Sequence, residues 1–456
     1  MSNSTLLAPF AGSDWRLVGW WTPLLMVGIW FLVRLVTPPH SPHNTSEVRA
    51  LPGPSRPWFG WLLGNMAQLA DHRETLIHPD WFQWGWTGMY ESLFAQKRIY
   101  TFDPAAVVYI FAHPDEFERP RDLRTILGHI MGSDSLVVNE GEKHRQLLAN
   151  RFNRLVDAAN GMVLLTEAQN ILPVLDKIPT QSRRVIGEVR GQMERLSDTL
   201  VAQRMQVGTD AGAKDLLSLL VKGNTATKGD QHLSNDELFA GSTTTAATIS
   251  FILFELAKLP EWQEKLRAEV LASDECPPFE VINALPLLDA VIRETLRLHP
   301  PASCTCRAAT KDMVLPLSKS IPLKDGRVID ALPVRKGSYF FISMVCLNRL
   351  KEIWGDDAED FNPARHADPA LPRMQVPGVW GNVSSFISGP HACIGYRLAI
   401  LEIKVVLYTL LRSFEFDLLP SKPDIQHFSS LATQPQVKGE LGGQMPLLVR
   451  KLRGTE

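Results

Sequence analysis

The chain is poor in cysteine, and this scarcity limits both its covalent chemistry and its compartment. Only five cysteines occur in 456 residues, and their number is odd. A disulfide framework is therefore excluded, and a reducing compartment is indicated for most of the chain. Cys304 and Cys306 form an isolated Cys-x-Cys with no second pair or histidine cluster. We interpret these two as core thiols rather than as zinc ligands.

Charge imbalance and nucleotide-binding fingerprints are also missing. The formal net charge is −2 at pH 7, and no basic run alternates with aromatic residues. Nucleic acid is therefore not expected as a partner. The sequence has no internal repeat, no long low-complexity segment and no fingerprint for a flavin or nicotinamide cofactor. The length allows about three ordinary domains, although single folds of this size exist.

One stretch near the N-terminus lacks charge altogether. Residues 17–33 read LVGWWTPLLMVGIWFLV. This is just long enough to cross a bilayer, and its tryptophans cluster where an interface would lie. A signal peptide and a buried helix are the alternatives, but the charged flanks favour a transmembrane anchor at residues 17–36. Arg34 and Arg49 on the C-terminal side then place the body of the protein in the cytoplasm.

Prolines are concentrated directly after this stretch. Six of them lie between Pro38 and Pro57, which predicts an extended, semi-rigid linker over residues 37–57. No second linker of this kind follows. Residues 58–456 are therefore interpreted as one domain.

This domain is predicted to be mainly α-helical with small β-sheets. Residues 183–205 place apolar side chains on one helical stripe. Residues 250–271 begin apolar all round and become amphipathic after Pro260, as a buried helix that runs into a surface helix would. Strand signals are short and occur in four segments: RIYTFDP, AAVVYIF, FEFDLL and MPLLVRKL.

Cys393 has an unusual setting in the stretch FISGPHACIGYRLAILEIK. It lies between a loop rich in glycine and proline and an apolar helical run. Gly389 and Gly395 would let the backbone approach a flat ligand, and the N-terminus of the following helix would favour a thiolate. A buried cysteine before a helix is the ordinary alternative, and position alone does not decide between the two.

Three further stretches bear on this choice. In VIRETLRLHPP, Glu294 and Arg297 are three residues apart and share one helix face. In WGDDAEDFNPARH, Arg365 follows a proline in a segment rich in turn residues. In DELFAGSTTTAATISFILFEL, Ala240 and Gly241 precede three threonines. Hydroxyls inside an apolar helix usually bond back to helix carbonyls, and they can hold a small polar molecule.

Together these stretches resemble the cytochrome P450 family, most of all its fungal, microsomal members. The family's oxygen-binding helix, Glu-x-x-Arg helix, Pro-x-Arg turn and cysteine loop are matched in order over residues 50–450. The matching residues are Ala240, Gly241, Thr244, Thr245, Glu294, Arg297, Arg365, Phe386, Gly389, Cys393 and Gly395.

The resemblance implies a cofactor and its protein ligands. Cys393 would be the axial thiolate of the iron in haem b (iron protoporphyrin IX), where electron donation favours O–O cleavage. Glu294, Arg297 and Arg365 would form a buried ion triad that fixes the cysteine loop. The positions that the resemblance assigns to the propionate side of the haem are His144, Arg307 and His391.

The resemblance also implies the reaction and the partners. Thr244, with Gly241 and Thr243 before it, would orient dioxygen and its proton supply. One oxygen atom would enter an apolar small molecule, such as a terpenoid or another secondary metabolite, and the other would become water. Electrons would come from the membrane-bound NADPH–cytochrome P450 reductase. The anchor and the proline hinge imply the endoplasmic reticulum membrane, with the body of the protein in the cytoplasm.

The chain departs from the family pattern in three ways. Thr243 stands where an acid is usual, which puts proton delivery in question. Ile387 replaces a frequent glycine, which we interpret as a mild change. Segments are missing near residues 160 and 238, as deletions or mis-assigned exons. The alternatives to a monooxygenase are an inactive haem-binding or haem-free relic, or a haem protein that uses peroxide or performs an isomerisation.

Overall fold

The computed structural model describes the sheets of the protein and the helices around Cys393. The described residues are 44–55, 64–65, 79–92, 96–121, 123–125, 235–275, 277–368, 371–372, 374–429, 432–440 and 443–452. The anchor predicted at residues 17–36 and the helix predicted at residues 183–205 lie outside them. Within these ranges, no helix combines the length and the apolar character needed to cross a membrane.

Helices dominate the described chain, and three of them are long. Several 3-10 turns occur beside them, among them Ser384–Phe386 and Gly389–His391. The α-helices are α1 Ser46–Ala50, α2 Pro104–Ala112, α3 Asn235–Lys258, α4 Pro260–Leu271, α5 Phe279–Asn283, α6 Pro286–Leu298, α7 Met344–Leu347, α8 Lys351–Trp354 and α9 Tyr396–Ser413.

Most strands of the described residues are short, and together they form one larger sheet and three pairs. They are β1 Thr87–Glu91, β2 Lys97–Thr101, β3 Phe117–Glu118, β4 Cys304–Ala309, β5 Met313–Pro322, β6 Val328–Val334, β7 Tyr339–Ser343, β8 Phe414–Leu418, β9 Ile425–Ser429, β10 Thr433–Val437 and β11 Leu447–Lys451. The larger sheet has the order β1-β2-β7-β4-β3, in which only β2 and β7 are parallel. The pairs are β5–β6, β8–β11 and β9–β10.

The prediction of a mainly helical body with small sheets agrees with this architecture. Strands were predicted in RIYTFDP, FEFDLL and MPLLVRKL, and these segments overlap β2, β8 and β11. β8 and β11 pair with each other, so that Phe416 lies opposite Val449.

The strand predicted in AAVVYIF is wrong, because this segment is helix α2. Its β-branched and aromatic content is typical of a strand, but the residues before it start a helix. The carboxylate of Asp103 accepts a hydrogen bond from the N–H of Ala106 at 3.2 Å, and Pro104 occupies the first turn. Ile110 and Phe111 are buried one turn later, which is helical rather than alternating spacing.

Helices α3, α6 and α9 form the core that surrounds the predicted motifs. α3 ends at Lys258, and Pro260 begins α4, because proline cannot continue the hydrogen-bond ladder of the preceding helix. α3 packs against α6, α9 and β10. The threonine helix, the Glu-x-x-Arg helix and the helix that follows Cys393 are therefore neighbours.

Candidate active site

Backbone contacts hold the loop that carries Cys393. The N–H of Cys393 donates to the carbonyl oxygen of Phe386 at 2.8 Å. α9 begins shortly afterwards at Tyr396, with Gly395 at its N-cap position. Among the cysteines of the described chain, Cys393 alone is exposed. The backbone of the loop is therefore fixed, and its thiol is accessible to a ligand.

The loop does not by itself produce the predicted thiolate. One side of Cys393 is open, but the surrounding protein atoms desolvate the sulfur and raise the pKa of the thiol. A hydrogen bond from the N–H of Gly395 lowers this pKa, but by less than burial raises it. The sulfur therefore needs a cation bound to it to be a thiolate at neutral pH.

Gly389 fixes the cysteine loop against helix α2. Its φ is +72°, and an added Cβ would lie 2.1 Å from the backbone oxygen of Phe111. No side chain fits there. Ile387, in the same loop, has φ +58° and ψ −176°, a region that is otherwise reserved for glycine. Such a conformation costs on the order of 1–3 kcal/mol, so the replacement of glycine at this position is not the mild change predicted.

Glu294, Arg297 and Arg365 meet in a buried ion cluster. Glu294 accepts hydrogen bonds from Nε and Nη2 of Arg297, both at 2.8 Å, and from Nε of Arg365 at 2.9 Å. All three side chains are almost completely buried. Burial alone would raise the pKa of Glu294, but the hydrogen bonds from Arg297 and His366 and both arginine charges hold it far below its usual value.

Two residues that the sequence analysis missed complete this cluster. His366 Nε2 lies 3.0 Å from Glu294 Oε2. Asp357 accepts a hydrogen bond from Arg365 Nη2 at 2.9 Å. Both lie in the segment WGDDAEDFNPARH, and His366 directly follows Arg365. Their only signal in the sequence was this proximity to Arg365, because their contacts depend on how the turn folds back onto α6.

The cationic residues expected on the propionate side lie near the end of α2. The buried guanidinium of Arg307 is 5.7 Å from the ring centre of Phe111, whose carbonyl also contacts Gly389. His391 Nδ1 is 3.0 Å from Nη1 of the buried Arg119, a residue that the sequence analysis missed. Because a guanidinium can only donate, His391 Nδ1 accepts this bond, and its proton is on Nε2. His144 lies outside the described residues.

The three predicted residues of the oxygen-binding helix lie on α3. Gly241 is helical, and Thr243 and Thr244 are half-buried. The Thr248 hydroxyl donates to the carbonyl oxygen of Thr244 at 2.9 Å, which is the back-bonding expected of hydroxyls in this helix. Thr245, which also matches the family motif, is buried and hydrogen-bonds Glu402 of α9, a residue that the sequence analysis had not selected.

Glu402 is a carboxyl group whose environment favours protonation. Burial raises its pKa, and the hydrogen bond with Thr245 lowers the pKa by less. The pair joins α3 to α9, and Thr245 is the direct neighbour of Thr244. An acid is therefore in contact with the threonine helix, although the position directly before Thr244 is a threonine.

Comparisons with known proteins agree with the motifs. The family profile described as Cytochrome P450 matches residues 121–441. Cytochrome P450 monooxygenase 205 of Postia placenta is 30% identical over 509 residues, which cover 89% of this chain and 93% of that protein. Cytochrome P450 monooxygenase claP of Ampulloclitocybe clavipes is 32% identical over 309 residues, which cover 64% of this chain and 57% of that protein.

The length of the first alignment bears on the predicted missing segments. It extends over 509 positions, although only 89% of this chain takes part and the whole chain has 456 residues. The alignment therefore contains substantial gaps on the side of this chain. Its length does not give their positions, so the locations near residues 160 and 238 stay a prediction.

Proposed function

The chain belongs to the cytochrome P450 family, and from this premise we propose that it inserts one oxygen atom of O2 into an apolar small molecule. Members of this family are oxygen-incorporating oxidoreductases that bind haem through a cysteine thiolate. The single observation that carries the proposal is the exposed Cys393 thiol, held in a fixed loop between Phe386 and α9.

The residues around Cys393 fit haem b. The thiol is open, and the contact between Gly389 and Phe111 holds the loop close to α2 without an intervening side chain. Arg119, Arg307 and His391 would provide positively charged or N–H donor groups for the two propionates. A bound iron would supply the positive charge that the Cys393 sulfur needs to be a thiolate.

The ion cluster around Glu294 is proposed to position this loop. Arg297 donates to the carbonyl oxygen of Asn348 at 3.0 Å, and the side-chain oxygen of Asn348 accepts a bond from the N–H of Ser384 at 3.0 Å. Ser384 begins the 3-10 turn that ends at Phe386, whose carbonyl binds the N–H of Cys393. Hydrogen bonds and short covalent stretches of Asn348 and residues 384–386 thus connect the cluster to the backbone of the cysteine.

When bound, haem supplies the activation of dioxygen, which consumes two electrons and two protons for each oxygen atom inserted and leaves the second atom in water. We propose that the protein moves protons along hydroxyl groups of α3. Burial raises the pKa of Glu402, which favours a proton on its carboxyl group, and Thr245 hydrogen-bonds this carboxyl group. The Thr244 hydroxyl would present the proton on the dioxygen side. Glu402 would thus take the role of the acid that the family usually has at the position of Thr243.

The remaining parts of the proposal concern the partner, the substrate class and the location. NADPH–cytochrome P450 reductase would supply the electrons, because the sequence has no nucleotide fingerprint of its own. The substrate would be a fungal secondary metabolite such as a terpenoid. The uncharged stretch at residues 17–33 would anchor the protein in the endoplasmic reticulum membrane, with its body in the cytoplasm.

The test is a carbon monoxide difference spectrum of the reduced, purified protein. We expect the Soret band of thiolate ligation in the wild type and in Cys304→Ser, and its loss in Cys393→Ser. Cys304 is a matched control, because burial raises the pKa of its thiol to about 11 and it is half-buried. A retained band in Cys393→Ser would disprove the ligand assignment.

One observation favours a second candidate, a relic of the same family without monooxygenase activity. The alignment gaps in this chain indicate that parts of the family fold are missing. The same spectrum distinguishes the two candidates, since a haem-free relic gives no Soret band. A relic that retains haem gives the band but does not consume NADPH when reductase and oxygen are supplied.

A further inference from the structure

Away from the cysteine loop, α3, α6 and β9 meet at a buried carboxylate and two imidazoles. Glu255 lies on α3, His299 is the C-cap of α6, and His427 lies in the middle of β9. His299 Nε2 is 3.0 Å from Glu255 Oε1, and His299 Nδ1 is 2.6 Å from His427 Nε2. The mechanism proposed above uses none of these side chains.

The ring of Phe251 packs against both imidazoles. Its centroid lies 4.5 Å from that of His299, with planes 3° apart, and 5.0 Å from that of His427, with planes 24° apart. Phe251 and Glu255 are one turn apart on α3 and therefore share a face. Thr244 lies about two turns earlier on the same face. The cluster thus holds β9 against the side of α3 that carries Thr244.

The charges of the cluster define the direction of its hydrogen bonds. Burial lowers the pKa of His299, and it lowers that of His427 well below the ordinary value of 6.5. Burial would raise the pKa of Glu255, but hydrogen bonds and charges from His299 and Lys258 lower it overall. At neutral pH, a carboxylate therefore faces two uncharged imidazoles.

A carboxylate can only accept, so His299 carries its proton on Nε2 and donates it to Glu255. His299 Nδ1 then accepts the Nε2–H of His427. Two further charged groups face the cluster. Lys258 binds the other oxygen of Glu255 at 2.8 Å, and Arg349 donates to the carbonyl oxygen of Leu298 at 2.8 Å. Both of these cations disfavour an additional proton on the imidazoles.

The β9–β10 hairpin needs such an attachment. It is a two-stranded sheet, and two strands alone are marginally stable in water. Pro435 lies opposite His427 and has no N–H for the ladder. One attachment of the hairpin is the N–H of Thr433, which donates to the carbonyl oxygen of Pro301 at 2.7 Å. The side chain of His427 supplies another, directed at α3 and α6.

We propose that Glu255, His299 and His427 are positioning residues that clamp the β9–β10 hairpin to α3. The clamp fixes the hairpin relative to Thr244, and this consequence rests on the proposed monooxygenase function. The clamp itself exists with or without turnover. Since burial disfavours charged imidazoles, the clamp is complete at neutral pH and weakens as pH falls below about 6.5, the ordinary histidine value.

The test is hydrogen–deuterium exchange of the purified full chain, read at residues 425–437 and corrected for intrinsic rates. His427→Phe keeps a flat ring on Phe251 but removes the donor, so we expect exchange in the hairpin to rise at least about tenfold at pH 7.5. His427→Gln keeps an N–H that reaches His299, and its hairpin should stay within about threefold of the wild type. Exchange in the paired strands β4 and β7 should not change in either variant.

The controls separate hydrogen bonding from packing. His113→Gln removes an imidazole that bonds Tyr109 on α2, and it should leave the hairpin unchanged. Lowering the pH from 7.5 to 5.5 should raise hairpin exchange in the wild type, and by less in His427→Gln, which has one imidazole fewer to protonate. Hairpin exchange in His427→Phe that equals the wild-type rate would overturn the clamp. So would an equal rise of hairpin exchange in His427→Phe and His427→Gln.

A second measurement needs no variant. Nitrogen-15 NMR of the imidazoles at pH 7.5 should show His299 and His427 both neutral and both protonated on Nε2. A proton on Nδ1 of His299 would overturn the assignment. Neither measurement depends on haem or on turnover, so failure of the proposed function would leave the result for the clamp intact.

Discussion

Loss of the Glu294 charge should strongly destabilise the protein, because this carboxylate is shared by two buried arginines. Glu294→Gln leaves Arg297 and Arg365 buried without their shared carboxylate. Breaking a buried ion pair in this way costs about 3–5 kcal/mol. We expect the free energy of unfolding, measured in urea, to fall by that amount. Glu359→Gln is the control, because Glu359 pairs with Arg349 at the surface and should cost less than about 1 kcal/mol.

The Glu294 carboxylate should also determine how the stability of the protein depends on pH in the acid range. The pKa of folded Glu294 lies far below its ordinary value of 4.5. The unfolded state therefore binds the proton first, and the stabilisation is present above pH 4.5 and decreases as pH falls below it. In Glu294→Gln, the free energy of unfolding should therefore decrease less steeply as pH falls below 4.5 than in the wild type. An unchanged dependence on pH would show that other groups determine it.

Thr243 allows a test of proton supply by a single substitution. If the missing acid limits proton delivery, Thr243→Glu should raise product formed per NADPH consumed by at least about twofold and reduce the peroxide released. If Glu402 already supplies the proton, Thr243→Glu should change little, and Glu402→Gln should lower the ratio instead. The carbon monoxide band should persist in both variants, which shows that haem binding is intact. An unchanged ratio of product to NADPH in both variants would show that neither an acid at position 243 nor Glu402 controls proton delivery.

At the scale of elements, the contact between the cysteine loop and α2 depends on one glycine. Gly389→Ala must move the loop or α2, because the new Cβ would meet the backbone of Phe111. Gly326 also has a positive φ, +86°, but has open space around it. Gly326→Ala therefore shares the conformational cost without the collision. We expect Gly389→Ala to lower the free energy of unfolding by at least about 2 kcal/mol more than Gly326→Ala. Equal decreases in the two variants would mean that the cysteine loop and α2 can move apart at little cost in free energy.

Basic residues are concentrated in the two segments that the family resemblance places on the cysteine side of the haem, around residues 143–154 and 391–397, and we propose that reductase docks on this face. The start of α9 belongs to the part of this face that the structure describes. Arg397 is exposed there, and its guanidinium lies 4.7 Å from the ring centre of Tyr396. Other basic residues assigned to this face, such as Lys143 and Arg145, lie outside the described residues. Arg397→Glu should raise the apparent KM for reductase several-fold, and turnover should fall as ionic strength rises. Lys438→Glu, in an exposed ion pair with Asp424 outside the two basic segments, should change neither quantity.

The elements differ in how far the sequence predicted them. Glu294 and Arg297 are three residues apart on one helix, and this local spacing predicted their contact. The helix at Pro104 was missed because its residue types favour strands, whereas its Asp103 cap acts through a single hydrogen bond. Contacts across the fold, such as His366 with Glu294 and His427 with His299, had no periodic signal. They depend on turns and packing that one sequence does not reveal.

At the scale of the whole molecule, the missing segments should limit stability. Each large apolar side chain that loses its cover costs on the order of 2–5 kcal/mol, against a total of only about 5–15 kcal/mol. We therefore expect the chain as written to bind haem weakly and to have a low Tm. A version rebuilt with any coding sequence found near residues 160 and 238 in the source gene should exceed it in both. Equal haem content and equal Tm would show that the short chain is an authentic enzyme.

The strand order of the larger sheet determines when the protein can fold during synthesis. β1 and β2 can pair early, but the open edge of β2 gains its partner only when β7 has left the ribosome. Loop-closure entropy changes by only about 0.6 kcal/mol for each doubling of the intervening chain. The waiting time, by contrast, grows in proportion to length, at about 5–20 residues per second. A deletion of some tens of residues between β3 and β4 thus shortens, by several seconds, the period in which an unpaired strand edge is open to aggregation.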